Sequence, residues 1–150
     1  MFKGISSLSI DIKGRASMPQ RYRKDFCAKN RCKLVITADK DKCLLIYTQS
    51  NWIKIEKKLS NLPSDNKEAR FIQRLVIGHA TESEIDSQGR FLIPNPLREY
   101  ADIQKKIILL GQGSKFELWS ESVWNKNMKS WLESENIDEV NNGALTELKL

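Results

Sequence analysis

One stretch of nine residues constrains this chain more than any other feature, because it is written twice. Asp11-Ile12-Lys13-Gly14-Arg15-Ala16-Ser17-Met18-Pro19 returns 75 positions later as Asp86-Ser87-Gln88-Gly89-Arg90-Phe91-Leu92-Ile93-Pro94. Asp, Gly, Arg and Pro hold the same places in both copies, and an Arg follows four residues after each Pro (Arg23, Arg98). The pattern reads as a tight turn between two short strands. Asp bonds its own backbone two residues on, and Gly supplies a positive φ that other residues resist. Pro limits how far the second strand can run inside a ladder. An Arg beside the Gly is then held at a hairpin tip, its guanidinium free to reach outward.

The likeness extends beyond the motif. Lys33-Leu34-Val35-Ile36 answers Lys106-Ile107-Ile108-Leu109, Leu45-Ile46-Tyr47 answers Glu117-Leu118-Trp119, and Trp52 and Lys54 answer Trp124 and Lys126. The offset drifts from 75 to 73 to 72, as loops of unequal length produce. The chain therefore reads as two copies of one unit of about 45–50 residues. Units so small rarely bury enough apolar surface alone, so the two are expected to share a core. The division that follows is a first unit over 5–52, a helical bridge over 53–80, a second unit over 81–124, and a C-terminal helix with an acidic tail over 125–150.

Local patterning fills in the elements. Ser7–Asp11 alternates polar and apolar, as a half-buried strand does, and Ala16–Met18 is the return strand. Gln20–Phe26 reads as a short basic helix with Pro19 at its start. Lys33–Ala38 and Cys43–Tyr47 read as strands joined by the polar loop Asp39–Lys42. Ser50–Leu59 is a helix with Trp52, Ile55 and Leu59 on one face, ended by Pro63. Asp65-x-x-Glu68 reads as a capping box opening a second helix that ends before Gly78. The second unit repeats the scheme with strands at Glu82–Asp86, Phe91–Ile93, Lys105–Leu110 and Lys115–Trp119, a short helix at Pro96–Tyr100, and a closing helix over Ser122–Leu132. Gly111-Gln112-Gly113 is a hairpin turn. It lacks the third Gly and the strand–loop–helix setting of a phosphate cradle.

Composition narrows the function. No apolar run approaches the ~20 residues of a membrane helix, and Met1-Phe2-Lys3-Gly4 does not open a signal peptide, so the cytoplasm is the expected location. Of the net charge of +6, the first 80 residues hold 17 Lys/Arg against 7 Asp/Glu, and the rest hold 8 against 12. A basic first half suits a polyanionic partner. The tail from Glu133 to Leu150, with Glu133, Glu135, Asp138, Glu139 and Glu147, is expected to fray or form a loose helix. Cys27, Cys32 and Cys43 form no C-x-x-C, and with the single His79 they lack zinc-finger spacing. They read as buried or idle thiols, and His79 as structural. Asp11 and Asp86 read as turn formers, not as a catalytic pair. No nucleophile, metal set or cofactor cradle assembles, so an enzyme is not expected.

With its paired D-x-x-G-R-x-x-x-P motifs, the sequence resembles the MraZ family of bacterial transcriptional regulators. The likeness covers nearly the whole chain, including Cys43–Tyr47, the bridge Arg74–Ala80 and Gly111–Trp119. It implies an α+β, mainly β fold: two tandem AbrB-type swapped-hairpin units interlocked into a small barrel, with flanking helices. It also implies a ring-shaped homo-oligomer on the nucleoid. Its partner would be double-stranded DNA, at promoter repeats of the division and cell-wall gene cluster that encodes the protein.

Carried onto this chain, the resemblance makes Arg15 the leading DNA-contact residue, beside Lys13 and followed by Arg21, Arg23 and Lys24. Arg90 holds the matching place in the second motif, where Gln88 replaces the Lys and the basic cluster shrinks to Arg98 beside Glu99. That copy is expected to be mainly structural or a weaker contact. An Arg can pair bidentately with O6 and N7 of guanine. Arg21, Arg23 and Lys24 suit phosphates, which position without reading sequence. The plain alternative for Arg15 is a solvated cation or a salt bridge to Asp11. At the level of function, the alternative is an AbrB-like assembly protein or antitoxin.

Overall fold

The computed structural model describes residues 1–134 and Leu148; the remainder of the acidic tail, for which a frayed or loosely helical state is expected, lies outside the described residues. Among the described residues the chain is α+β and rich in strands. In order it runs β1 (Phe2–Ser9), β2 (Arg15–Ser17), α1 (Gln20–Cys27), β3 (Lys33–Ala38), β4 (Leu44–Thr48), α2 (Gln49–Ser60) and α3 (Lys67–Ile72). A π-helical stretch (Gln73–Ile77) follows, then β5 (Thr81–Glu84), β6 (Arg90–Leu92), α4 (Asn95–Tyr100), β7 (Lys106–Gly113), β8 (Lys115–Ser120) and α5 (Glu121–Glu133).

Six strands form one antiparallel sheet in the order β1-β7-β8-β4-β3-β5, and β2 and β6 form a separate two-stranded ribbon. The first strand of each half pairs with the hairpin of the other half: β1 with β7, Phe2 opposite Gly113, and β5 with β3, Thr81 opposite Ile36. The two home hairpins, β3–β4 and β7–β8, join through β4 and β8. The halves are thus built from each other's strands, and the shared core expected from the repeat follows from that exchange. The barrel expected above is not closed by hydrogen bonds. β1 and β5 are the two edges of the sheet, because at Asp11 and Asp86 the chain turns away into the ribbon instead of carrying the edge strands toward each other.

Both faces of the sheet are covered, which is why β4 (Leu-Leu-Ile-Tyr-Thr) is buried along its entire length. On one face Leu34, Ile36, Leu44, Ile46, Leu109, Phe116 and Leu118 are almost wholly buried. Phe116 meets Phe2, Tyr22 and Phe26 there at ring-centroid distances of 4.3, 4.8 and 6.2 Å. On the other face Tyr47 packs on Trp52 of α2, and Trp119 packs on Trp124 of α5, each at 5.7 Å. The repeat matches Tyr47 with Trp119 and Trp52 with Trp124, so the same contact is made once in each copy. Thr37 donates its hydroxyl to the Val76 carbonyl of the π-helical stretch.

Two local expectations are corrected. The N-cap of α3 is Asn66, whose Oδ1 accepts from Glu68 N at 2.9 Å and Ala69 N at 3.1 Å, so Asp65-x-x-Glu68 is not the capping box. Asn caps as well as Asp does, and one position decides between them. Cys27 and Cys32 are not idle thiols but form a disulfide, since the chain reverses after α1 and returns Cys32 to it; Cys43 remains free and buried. Helix α2, for which no cap was expected, is capped by Thr48, whose Oγ1 accepts from Asn51 N at 3.2 Å.

Candidate nucleic-acid interface

Each motif turn is built around its Asp. Asp11 Oδ1 accepts from the backbone N–H of Lys13 and of Arg15, both at 2.9 Å, and Asp11 Oδ2 accepts from Arg15 Nε at 2.8 Å. Asp86 repeats the arrangement with Gln88 N and Arg90 N at 2.9 Å and Arg90 Nε at 3.1 Å. In both turns the backbone N–H of the Arg is the chief influence holding the carboxyl below its ordinary value of 3.8, reinforced by the guanidinium and by the N–H two residues on. The carboxylate therefore stays charged and holds the guanidinium by its Nε edge. Among the described residues the Nη nitrogens of Arg15 and Arg90 make no hydrogen bond to the protein. That is the end-on pair a bidentate acceptor would meet.

The two motifs are one site. In the ribbon Arg15 lies opposite Leu92, Ala16 opposite Phe91, and Ser17 opposite Arg90. Further bonds extend the ladder symmetrically, from Met18 N to Gly89 O at 2.8 Å and from Ile93 N to Gly14 O at 2.9 Å. Side chains alternate along a strand, so Ala16 and Phe91, each 1% exposed, point into the core. Arg15, Ser17, Arg90 and Leu92 share the outward face. Diagonal neighbours of this kind stand about 7–8 Å apart at their stems. Arg15 and Arg90 are thus a pair on one surface, with side chains 27% and 30% exposed.

The arginines after each Pro hold the site together from beneath. Arg23 of the first half lies on Gly89 of the second, and Arg98 of the second lies on Gly14 of the first. A Cβ on Gly89 would fall 2.2 Å from Arg23 Cζ, and one on Gly14 2.3 Å from Arg98 Nη1. Both glycines have positive φ, +85° at Gly14 and +80° at Gly89, as the turn demands. Arg23 Nε donates to the Met18 carbonyl at 2.7 Å. Arg98 Nε is buried without a partner among the described residues. Each crossing brings a cation under the opposite turn, so the second turn gains charge from the basic first half.

The remaining predicted residues are placed more loosely. Lys13 is exposed at the tip of the first turn, and Lys24 is exposed in the last turn of α1. Arg21 is drawn toward β1: its Nη2 donates to Ser6 Oγ at 2.8 Å, and its guanidinium lies 4.6 Å from the centre of the Tyr22 ring. His79 accepts or donates through Nδ1 at the Leu75 carbonyl, 2.7 Å away, and faces Tyr100. Among the described residues no group of three His, Cys, Asp or Glu is placed to hold a metal. Sequence reasoning passed over Ser17 and Leu92, which complete the outward face. Their spacing of two from each motif Arg was the available signal.

A family model described as "MraZ protein, putative antitoxin-like" matches residues 1–75 and again residues 76–146, so both halves of the repeat are matched. The chain is 45% identical over 150 residues to a protein of Thioalkalivibrio sulfidiphilus, covering 100% of each chain. It is 47% identical over 136 residues to one from Legionella pneumophila strain Corby and 49% identical over 136 residues to one from Coxiella burnetii, in each case over 90% of both chains. All three relatives bear the name "Transcriptional regulator MraZ". The doubled family match and the full-length identity lead to one conclusion: this chain belongs to the MraZ family.

Proposed function

We propose that this protein is a transcriptional regulator that binds specific double-stranded DNA through the β2–β6 ribbon, with two AbrB-type swapped-hairpin units sharing the work. The observation that carries the reading is the outward pairing of Arg15 and Arg90, each guanidinium fixed by its own Asp with the Nη edge open. A two-stranded ribbon fits the major groove, where an end-on guanidinium can take O6 and N7 of a guanine. Lys13, Arg21 and Lys24 suit the flanking phosphates, while Arg23 and Arg98 brace the turns and add to the positive field. The matched geometry of the two turns favours contact by both motifs over a purely structural second copy.

One ribbon makes few contacts. A ring-shaped homo-oligomer repeating them along several promoter repeats gains affinity by avidity. The setting we infer is the cytoplasm and nucleoid, and the target is the promoter of the protein's own division and cell-wall gene cluster, with repression as the output. The words "antitoxin-like" in the family description keep a second reading in view, an AbrB-like assembly or antitoxin-type protein. The two-unit architecture favours the first.

The test is binding of the full-length protein to its own upstream region, at two salt concentrations. Arg15→Ala is expected to lower specific affinity by about tenfold or more, as loss of one bidentate guanine contact does. Lys24→Ala should weaken all sequences alike and lower the salt slope by about one. If the double variant Arg15→Ala/Arg90→Ala binds as well as the wild type, the reading is wrong.

A further inference from the structure

The ribbon is two-fold symmetric in its arginines and not in what stands beside them. The pseudo-axis passes through the Ala16–Phe91 pair, so Arg15 corresponds to Arg90 and Ser17 corresponds to Leu92. Because the strands are antiparallel, the odd residue of one copy faces the Arg of the other. Leu92 lies directly across from Arg15, and Ser17 directly across from Arg90. Leu92 is 47% exposed, beside an Arg whose aim Asp11 fixes. The turn tips differ in the same sense: Ile12, 99% exposed, in the first copy, against Ser87 in the second. Beside its cations, one end of the ribbon therefore carries apolar side chains and the other carries hydroxyls.

A lone exposed Leu is ordinary; what matters here is its place. Directly opposed residues on a ribbon have Cβ atoms about 4.5–5.5 Å apart, so Leu92 stands next to whatever Arg15 grips. In the major groove the base-pair edges are hydrogen-bonding groups except for one apolar feature, the C5 methyl of thymine. A Leu satisfies none of the polar edges and gains by covering the methyl. Ser17 beside Arg90 can bond to either kind of edge and so discriminates little.

We propose that Leu92 is a specificity-determining residue, selecting a thymine next to the guanine that Arg15 contacts, so that the two ends of the ribbon read different base steps. The proposal rests on the ribbon reading above. It is tested with wild-type full-length protein selecting duplexes from a randomised pool. The winning duplex is then resynthesised with deoxyuridine replacing thymine one position at a time, which removes only the methyl. Wild type should lose about fourfold at a thymine adjoining an Arg15-dependent guanine, the effect of one uncovered methyl. Leu92→Ser should bind the two duplexes equally, with its guanine preference intact. Wild-type indifference to deoxyuridine at every position, or equal methyl sensitivity in Leu92→Ser, overturns the assignment of Leu92 while leaving the ribbon standing. Failure of the wild type to enrich any sequence overturns both.

Discussion

Replacing Gly14 with Ala tests how the two halves are joined, because the structure supplies an internal control. Gly14 and Gly113 both have positive φ, +85° and +77°. An added Cβ would meet Arg98 Nη1 at 2.3 Å and Cζ at 2.5 Å in the first case, and nothing nearer than Met1 Cε at 3.8 Å in the second. The left-handed conformation costs an Ala about 1–2 kcal/mol, partly offset because Ala restricts the unfolded chain. Gly113→Ala should therefore lose about 1 kcal/mol. Gly14→Ala carries the same penalty and in addition forces the Arg98 guanidinium off the turn, giving a loss of about 2–3 kcal/mol, since displaced packing and polar contacts each count for about 1 kcal/mol. The assay is urea unfolding at fixed protein concentration, reading the midpoint at unchanged slope. In a double-mutant cycle Arg98→Ala removes the obstacle, so the combined variant should recover about 1 kcal/mol relative to additivity. If Gly14→Ala costs no more than Gly113→Ala, or if no coupling to Arg98 is found, the crossed arginines do not join the halves in the way described.

Three other perturbations have defined outcomes. Phe116→Ala empties the centre of the aromatic cluster, where Phe116 is wholly buried, and should cost about 3–5 kcal/mol by denaturant unfolding. Reducing the Cys27–Cys32 disulfide, which closes a short loop, should cost about 2 kcal/mol, with Cys43 alkylated only on unfolding because burial raises its thiol pKa. Burial pushes the Tyr47 phenol from 10.0 up to about 12; the neutral form is favoured in the fold, so this stability is full below pH 10 and is lost as pH rises toward 12, a decline that Tyr47→Phe should lack. At the acid end the signs reverse: Asp11 and Asp86 lie below 3.8 in the fold, and their contribution disappears only as pH falls through those lowered values.

Much of this was legible in the sequence because repetition and turn chemistry are local. The Asp that bonds its own backbone, the Gly with positive φ and the correspondence of Tyr47 and Trp52 with Trp119 and Trp124 follow from residues a few positions apart or from matching one copy to the other. The strand partners were not legible in the residues themselves, and only the family resemblance implied interlocked halves. Two similar halves offer similar strands, and nothing in Phe2–Ser9 says that its partner is β7 and not β3. The same ambiguity hid the ribbon, and with it the fact that Arg15 and Arg90 share a face. Arg23 and Arg98 read as DNA-contact cations, with no sign of a bracing role, because the glycines they cover lie in the opposite copy. The Cys27–Cys32 bond went unread because it depends on a reversal that includes Arg31 and Cys32 at φ 52° and 60°, a conformation no local rule assigns to those residue types.

The exchange of first strands also sets a timetable for biosynthesis. β1 leaves the ribosome early, yet its hydrogen-bonding partner β7 is about a hundred residues behind, several seconds of translation at ~5–20 residues per second. Until then the nascent chain holds an eight-residue strand with no mate and a β3–β4 hairpin whose flanks await β5 and β8. Such a chain cannot mature half by half. It is most vulnerable to premature association with a sibling emerging from the same polysome, whose β7 would serve just as well.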